Sequence, residues 1–253
     1  MSKKVLAKSK LNKKDDINKK ISVNDINLKN VTIDDLELDD ANYDQFINMK
    51  NLLEGISSCQ ISDAYNELYR KTGVVKGLKS INNKKVYGRI MTAETNCDDW
   101  GTSVAAINAC SDGNILFVKS SSEDLAIWGE LASINARNSG VGGVAIYGSV
   151  RDMDALLTLD YPIFSCNFTP NAGKAIGLGV IGDDLFVDGE IISPGDFFFG
   201  DETGVVIVPQ VLFTEVINQV LSVKLMELDI IEQLNEGRSL LEITGVDGHF
   251  DSL

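Results

Sequence analysis

The segment from Trp128 to Asp152 constrains the fold of this chain more than any other stretch. It reads WGELASINARNSGVGGVAIYGSVRD and combines a helical pattern, a glycine-rich turn and a short run of apolar residues. An apolar run of this length between glycines is typical of a strand that is buried on both faces. We therefore expect a strand over residues 144–147, which Gly148 would end.

The helical pattern before this strand predicts a helix that contains Trp128. Its side chains recur every three or four residues, as on the buried face of a helix. Ser121 or Ser122 would cap the first turn, and Ser139-Gly140 would end the helix. The residues that form the pattern are Leu125, Trp128, Leu131, Ala132 and Asn135.

Two charged residues, Arg151 and Asp152, follow the expected strand. Because successive strand residues point to opposite faces, both charges can serve one site only if they lie beyond the strand. The carboxyl ends of buried strands are where open α/β proteins bind their ligands. The pair could instead be structural, with Arg151 in a salt bridge and Asp152 as a helix N-cap. Likewise, Glu130 could be a solvated residue on its helix.

The formal net charge of −14 is divided unevenly along the chain. Residues 1–30 carry nine lysines and three aspartates, a net charge of +6, whereas the remainder carries −20. A domain this acidic repels phosphates, so we expect no nucleic-acid partner. We interpret residues 1–45 as a polar, flexible N-terminal arm and residues 46–253 as one folded domain.

Four cysteines, Cys59, Cys97, Cys110 and Cys166, are widely spaced and include no CxxC pair. We expect buried free thiols rather than disulfides or a metal site. The first residues lack the apolar core of a signal peptide, and no apolar run approaches the ~20 residues that cross a bilayer. These observations predict a cytoplasmic protein with no membrane partner.

A single histidine, His249, lies near the end of the chain. The composition therefore argues against Ser-His-Asp and Cys-His nucleophilic catalysis and against histidine-rich zinc sites. Any bound metal would take oxygen ligands from Asp, Glu, backbone or water. Such a ligand set favours Mg²⁺ or Mn²⁺.

The first half of the expected domain alternates between helical and strand patterns. A helical pattern covers residues 46–71, a weak alternation over 85–94 indicates a strand, and Thr102 is a suitable cap for a short helix. The residues expected to face the core from the first helix are Ile61, Ala64, Tyr65 and Leu68. Those expected from the short helix are Val104, Ala105 and Ile107.

The second half is rich in strand patterns and closes with a long helical pattern over 212–236. Asp188-Gly189 is typical of a tight hairpin. The segment 193–196 carries Pro and Gly at the central positions of a type II turn. Because the late strands lack helical crossovers, a layered β/β/α sandwich fits better than a doubly wound sheet.

Four segments, in this order, resemble the RraA-like proteins: WGELA, GVGGVAIYGSVRD, PIFSCNFTP and GEIISPGDFFFGDETGVVIVP. The resemblance covers roughly residues 50–245. That family joins the regulators of ribonuclease activity A with class II pyruvate aldolases acting on 4-hydroxy-4-methyl-2-oxoglutarate and 4-carboxy-4-hydroxy-2-oxoadipate. The resemblance implies an α/β fold, a β/β/α sandwich of the swivelling-domain type with a long C-terminal helix, and assembly as a homotrimer or homohexamer.

The resemblance also implies catalytic roles around the charged pair. Glu130 stands where the aldolases typically have Asp and the ribonuclease regulators typically have no carboxylate, which favours the aldolase interpretation. Asp152 would be a ligand of Mg²⁺ or Mn²⁺, and Glu130 would hold a metal-bound water. Arg151 would bind the keto oxygen of the substrate and stabilise the enolate.

Further implied roles concern substrate binding and a second subunit. The segment that begins at Gly129 would bind the pyruvyl carboxylate, through the backbone amides of Leu131 and Ala132. Glu227, on the final helix, would enter the site of a neighbouring subunit. The chain departs from the aldolase pattern in having Ala155 where an acidic residue is usual, and this departure bears on the identity of the substrate.

The expected activity is a divalent-metal-dependent aldolase reaction on a small 2-keto acid, with oxaloacetate decarboxylase activity. Both reactions leave an enolate, whose charge a divalent cation and an arginine can offset. Neither needs a histidine, since a metal-bound water can relay the proton. The alternative is a non-catalytic RraA-like protein that binds and inhibits a ribonuclease, its acidic surface covering basic RNA-binding residues.

Overall fold

The computed structural model describes residues 53–246. The predicted N-terminal arm, the start of the domain at residue 46 and His249 lie outside the described residues. Within 53–246, no helix is both long and apolar enough to cross a membrane.

The described chain alternates helices and strands before a run of strands and a long closing helix. The helices are α1 (Ser58–Tyr69), α2 (Gly101–Ile107), α3 (Glu130–Asn138), α4 (Met153–Thr158), α5 (Phe213–Asn235) and α6 (Leu240–Thr244). The strands are β1 (Lys79–Ser80), β2 (Val86–Thr95), β3 (Ile115–Ser120), β4 (Ala126–Trp128), β5 (Gly143–Val150), β6 (Ile163–Phe168), β7 (Val180–Ile181), β8 (Leu185–Val187), β9 (Glu190–Ile192), β10 (Phe197–Gly200) and β11 (Val205–Val208).

A nine-stranded sheet organises these elements, with the order β1-β6-β5-β3-β2-β10-β11 along its main path. The four strands β6, β5, β3 and β2 run parallel, and β4 adds a short parallel pairing to β5. Parallel neighbours need crossover connections, and α2, α3 and α4 lie in the three crossovers. The carboxyl ends of the parallel strands therefore meet at one edge of the sheet.

Apolar side chains bury both faces of the parallel strands. On one face, Leu116 and Val144 pack in the same cluster as Ala106 of α2 and Ala136 of α3. On the other face, the second apolar cluster includes residues of the antiparallel β8–β9 hairpin. The near-complete burial of β3 and β5 explains why each reads as a continuous apolar run.

A third apolar cluster joins β10 and β11 to the two longest helices, α1 and α5. Phe197 of β10 stacks on Phe213 of α5 with 3.6 Å between ring centroids. No helix separates β7 to β11, as the sequence indicated. The predicted α/β class, with layered packing and a long C-terminal helix, is confirmed.

Several local predictions are also confirmed. Asp188 and Gly189 both have positive φ, at 52° and 88°, as the central residues of a type I′ hairpin turn require. The N–H of Asp196 donates to the Ser193 carbonyl at 3.1 Å, and Gly195 has φ of 91°, as in a type II turn. Three of the residues expected to face the core from α1, Ile61, Ala64 and Tyr65, are buried, and the fourth, Leu68, packs against the same cluster.

The predicted helix containing Trp128 is wrong. Residues 126–128 form β4 instead, and Trp128 pairs with Val150 of β5. All three residues of β4 are buried, which one face of a helix would not allow. Helix α3 begins only at Glu130, so neither Ser121 nor Ser122 caps it.

The predicted end of β5 at Gly148 is also wrong, because the strand continues to Val150. A Cβ atom on Gly148 would lie 2.6 Å from the Ser120 Cβ of the neighbouring strand. This glycine therefore marks a close approach of two backbones and not a strand end.

The cap of α2 and the burial of the cysteines also differ from expectation. Thr102 lies inside the first turn of α2 and does not cap it. Ala105, which was expected to face the core, is exposed, and Ala106 is buried instead.

All four cysteines are free, as expected. Cys59 is exposed because it lies on the solvent face of α1, and the other three are half-buried. The expectation of buried thiols is therefore wrong.

Candidate functional site

A cavity of about 260 Å³ lies at the carboxyl edge of the sheet, where β4 and β5 end. The N–H of Arg151 donates to the Trp128 carbonyl at 3.0 Å, which continues the β4–β5 pairing by one residue. Helix α3 begins two residues after β4, so its N-terminus is at the same edge. The cavity is lined by Trp100, Val104, Ala126, Ile127, Trp128, Gly129, Leu131, Ala132, Asn135, Arg151, Asp152 and Ala172.

Asp152 occupies a backbone conformation that favours glycine, with φ of 60° and ψ of 43°. Its carboxylate accepts a hydrogen bond from the Glu130 N–H at 3.2 Å and lies 3.6 Å from the Arg151 Nε. The side chain makes no capping bond to α4. The Asp152 side chain therefore does not cap α4, so this part of the structural alternative is wrong. The salt bridge that the same alternative gave to Arg151 is present, with Asp152 as its partner.

Gly129 leaves the space in which the charged pair sits. A Cβ atom there would lie 2.5 Å from the Asp152 Oδ2 and 3.1 Å from the Arg151 Cγ. The φ of Gly129 is −171°, an extended conformation that any residue adopts. Glycine is therefore required at position 129 because the Asp152 carboxylate lies so close, and not because of the backbone conformation.

The N-terminus of α3 directs backbone N–H groups at the cavity. Of its first four N–H groups, that of Glu130 binds Asp152 and that of Ser133 binds the Gly129 carbonyl. The N–H groups of Leu131 and Ala132 have no partner in the described part of the chain. Unpaired N–H groups at a helix N-terminus are suited to binding an anion.

Trp128 and Ser133 hold this terminus in place. The Trp128 Nε1 donates to the Ser133 Oγ at 2.8 Å, and that hydroxyl donates to the Gly129 carbonyl at 2.9 Å. Ser133 is completely buried, and Trp128 is nearly so. The wall beside the charged pair is therefore fixed before any ligand binds.

Trp100 also forms part of the cavity wall, a role that the sequence did not indicate. Its Nε1 donates to the Gly173 carbonyl at 3.1 Å, and its backbone N–H donates to the Lys174 carbonyl at 3.0 Å. The indole remains 37% exposed, so it presents a surface to the cavity. The bonds join α2 to the loop between β6 and β7.

Asp99, next to Trp100, anchors that loop. Its buried carboxylate accepts backbone N–H groups from Gly177 at 2.8 Å and Leu178 at 3.0 Å, and the Thr102 hydroxyl at 2.8 Å. Burial alone would raise the pKa of the Asp99 carboxyl, but these hydrogen bonds hold the pKa well below its usual range. It also accepts the Gly101 N–H, so Asp99 supplies the cap that we assigned to Thr102. The acidic residue just before the helix was the signal in the sequence from which this cap could have been predicted.

Two predicted catalytic residues, Glu130 and Glu227, do not line the cavity. Glu130 is half-buried beside it, and its carboxylate has no partner among residues 53–246. Glu227 lies on α5 and accepts a hydrogen bond from the Gln60 side chain of α1 at 2.5 Å. The chain therefore brings together Gly129, Leu131, Ala132, Arg151 and Asp152, and leaves Glu227 elsewhere.

The donor set at this edge fits a metal ion that keeps most of its waters. In the described part of the chain, no three His, Cys, Asp or Glu side chains form a metal-binding cluster. Asp152 offers one carboxylate, and Glu130 lies next to it in the fold. Mg²⁺ is commonly bound through one or two carboxylates, with water and substrate completing its octahedron.

Related proteins share this region of the chain. Residues 58–207 match the RraA-like family, described as Aldolase/RraA. An uncharacterized protein of Methanocaldococcus jannaschii is 36% identical over 177 residues, which are 68% of this chain and 85% of that protein. A Halalkalibacterium halodurans protein, provisionally named a 4-hydroxy-4-methyl-2-oxoglutarate aldolase, is 30% identical over 151 residues, 59% of this chain and 71% of that protein.

Two solved structures have the same fold. An uncharacterized protein from Pseudomonas syringae pv. tomato aligns with a TM-score of 0.69 at 27% identity, covering 78% of this chain and 92% of that one. The RNA-processing inhibitor RraA from Thermus thermophilis aligns with a TM-score of 0.54 at 25% identity, covering 59% of this chain and 92% of that one. The matched region runs from α1 to β11 and contains the cavity at the end of β5, and on these grounds the chain belongs to the RraA-like family.

Proposed function

We propose that this protein is a divalent-metal-dependent carbon–carbon lyase that releases pyruvate from small 2-keto acids. It is a class II pyruvate aldolase, of the type that acts on 4-hydroxy-4-methyl-2-oxoglutarate or 4-carboxy-4-hydroxy-2-oxoadipate, with oxaloacetate decarboxylase activity. The observation that carries the proposal is the convergence of Arg151, Asp152 and the unpaired N–H groups of α3 on one cavity. The provisional name of the Halalkalibacterium relative supports the lyase assignment.

The N-terminus of α3 and Arg151 position the substrate. The N–H groups of Leu131 and Ala132 donate to its carboxylate, which the helix dipole also attracts. The Arg151 guanidinium, 45% exposed at the cavity, donates to the keto oxygen. A 2-keto acid thereby presents its third carbon to the interior of the cavity.

Asp152 is the residue that would hold Mg²⁺ or Mn²⁺, with Glu130 beside it. When bound, the cation offsets the negative charge that develops on the enolate oxygen. Arg151 shares this task through a charge-assisted hydrogen bond that strengthens as the charge develops. The ion pair between Arg151 and Asp152 keeps the guanidinium beside the carboxylate that would hold the cation.

The bond changes are those of a retro-aldol cleavage. The bond between carbons 3 and 4 breaks, its electron pair forms the pyruvate enolate, and the proton of the 4-hydroxyl leaves to a base. Carbon 3 then takes up a proton to give pyruvate. Glu130 moves these protons through a water, since its half-buried carboxylate has no other partner in residues 53–246. In oxaloacetate, carbon dioxide leaves instead.

Pyruvate release from oxaloacetate tests the proposal. Wild-type protein and Asp152→Asn are incubated with oxaloacetate and Mg²⁺, with and without a chelator, and pyruvate is measured with lactate dehydrogenase. An enzyme-free sample with Mg²⁺ corrects for spontaneous decarboxylation. We expect release by the wild type that the chelator abolishes. Equal rates for the wild type, the variant and the enzyme-free sample would contradict the proposal.

A second candidate function is ribonuclease inhibition without catalysis. The likeness to the Thermus RNA-processing inhibitor favours it, as does the net charge of −20 over residues 31–253, which suits a basic RNA-binding surface. This function predicts that cleavage of an RNA by an endoribonuclease is inhibited equally by the wild type and by Asp152→Asn. Inhibition without any pyruvate release would favour it over the lyase.

A further inference from the structure

We propose that the protein has a second ligand site, which binds a small carboxylic acid with an apolar body. The site is a cavity of about 330 Å³ between the segment 70–76 that follows α1, the β8–β9 hairpin and the end of β11. It shares no lining residue with the cavity at the end of β5. The inference goes beyond the proposed lyase function and does not rest on it.

The hydroxyl of Tyr65 points to a ligand in this cavity. Tyr65 lines the cavity although only 5% of the residue is exposed. Its hydroxyl has no hydrogen-bond partner in residues 53–246, whereas the hydroxyl of Tyr69, one turn later on α1, is bonded to Glu215. Burial raises the pKa of Tyr65, so the hydroxyl stays protonated at neutral pH. A buried tyrosine hydroxyl normally has a partner, and an acceptor on a ligand would supply it.

The charges around the cavity favour an anion. Three cations and two carboxylates line it, a net charge of +1, and both carboxylates are already engaged. Glu190 forms an ion pair with Lys71 at 2.7 Å, and Asp188 accepts the backbone N–H of Lys76 at 2.8 Å. The side chains of Arg70 and Lys76 have no hydrogen-bonding or ionic partner in residues 53–246. These two cations are therefore the ones that a ligand anion would meet.

The backbone of Arg70 also indicates that its side chain has a role. This residue ends α1 with φ of 57° and ψ of 30°, a left-handed conformation in which glycine is common. An arginine gains nothing there from the backbone, and its side chain reaches the cavity. A planar guanidinium can donate two parallel hydrogen bonds to one carboxylate. We therefore assign Arg70 to the carboxylate of the ligand.

The apolar part of the wall sets the class of the ligand. Val74 and Ile191 both line the cavity and are 45% and 62% exposed. Arg70 and Lys76 are exposed as well, so water and salt screen their charges and an anion alone binds them weakly. Covering the apolar side chains adds free energy of binding. A carboxylate with an apolar body uses both parts of the wall, whereas an inorganic anion uses only the cations.

Matched ligands test this class. Binding of 3-phenylpropanoate to the full chain is measured by isothermal titration calorimetry with a chelator present, and we expect one site per chain. The neutral 3-phenylpropanamide and the short acetate should each bind at least about tenfold more weakly, because one lacks the charge and the other lacks the apolar body. Equal binding of the amide would overturn the role of the cations. Equal binding of acetate or of inorganic phosphate would overturn the apolar class.

Matched variants test the position of the site. Tyr65→Phe removes one hydroxyl and should weaken the binding of 3-phenylpropanoate by about tenfold, whereas Tyr69→Phe removes a hydroxyl outside the cavity and should not. Arg70→Gln and Lys76→Gln should also weaken it, whereas Lys79→Gln, an exposed lysine outside the cavity, should not. Wild-type affinity in Tyr65→Phe and Arg70→Gln would place the binding elsewhere and overturn the site.

A contact between subunits is the competing explanation for the two cations. Light scattering separates the explanations, because Arg70→Gln and Lys76→Gln should keep the mass of the wild type if the cations serve a ligand. A smaller mass in either variant would show that another copy of the chain pairs with these residues, and would overturn the ligand site. Arg70→Gln should release pyruvate from oxaloacetate as the wild type does. If the wild type releases none, the lyase proposal fails and the calorimetric result for this cavity still stands.

Discussion

The carboxylate of Asp152 accepts a hydrogen bond from the backbone N–H of Glu130 at 3.2 Å. This bond joins the residue after β5 to the first residue of α3, although 22 positions separate them in the chain. The bond occupies the Glu130 N–H, and the Ser133 N–H is also bonded. At this helix terminus, the N–H groups of Leu131 and Ala132 therefore have no partner in residues 53–246. This junction therefore places the Asp152 carboxylate at the same helix terminus as the two unpaired N–H groups.

Asp152→Asn should lower the affinity for Mg²⁺ and the rate of pyruvate release by about 10²–10³-fold, because the amide keeps the shape but loses the charge. The melting temperature should change little, since a partly exposed ion pair contributes at most about 1 kcal/mol. Asp154→Asn, an exposed position on α4, is the matched control. Normal turnover in Asp152→Asn with a clearly lower melting temperature would show that the residue is structural.

Arg151→Lys should reduce kcat by about 10²–10³-fold, because a lysine offers a point charge where a planar guanidinium donates to the keto oxygen. The fold should be retained, since Arg151 is exposed and lies beyond the strand. Arg137→Lys, at the exposed end of α3, is the control and should behave as wild type. Steady-state kinetics with oxaloacetate decide the matter, and a change confined to KM would argue against enolate stabilisation.

Gly129→Ala should displace the Asp152 carboxylate, because the added Cβ would lie 2.5 Å from its Oδ2. We expect a loss of roughly 1–3 kcal/mol in the free energy of unfolding and a loss of Mg²⁺ binding. A double-mutant cycle with Asp152→Ala isolates the contact, since the alanine at 129 should cost much less when the carboxylate is absent. Additive effects of the two substitutions would contradict this account.

Asp99→Asn should destabilise the protein at pH 7 by roughly 2–4 kcal/mol, because several buried donors lose a charged acceptor.

This stabilisation should also depend on pH. The pKa of Asp99 is lower in the folded protein than the ~3.9 of an unfolded chain. Its stabilisation is therefore present above the unfolded pKa and is lost as the pH falls towards the lower folded pKa. Urea denaturation from pH 7 to pH 3 should show the difference between wild type and variant shrinking below about pH 4. Asp98→Asn, the exposed neighbour, should show no such effect.

The protein should assemble as a trimer or hexamer whose sites are shared between subunits. The exposed apolar side chains of α5 support assembly, with Met226 at 55% and Ile231 at 52% exposure. If Glu227 enters a neighbouring site, co-assembly of inactive Asp152→Asn and Glu227→Gln chains should restore part of the activity. Co-assembly of Asp152→Asn with Arg151→Lys should not, because both changes fall in the same half of the site. A monomer by light scattering, or no restoration, would remove the shared site.

The sequence by itself determined the elements whose signals are local. The apolar set of α1, the Asp188-Gly189 hairpin and the long helix α5 all form as predicted, because periodicity and turn chemistry act over a few residues. The position of Arg151 and Asp152 beyond a buried strand was also predictable, since the apolar run of β5 ends just before them.

Tertiary structure decided what depends on partners distant in the chain. Trp128 lies in a strand because β5 offers hydrogen bonds to β4, and a three-residue strand has no periodicity that distinguishes it from a helix. Asp99 also anchors a loop more than 70 residues later, and no local pattern around Asp99 indicates that contact. Likewise, the need for glycine at 129 arises only when Asp152 is brought against it, because local backbone conformation permits any residue there.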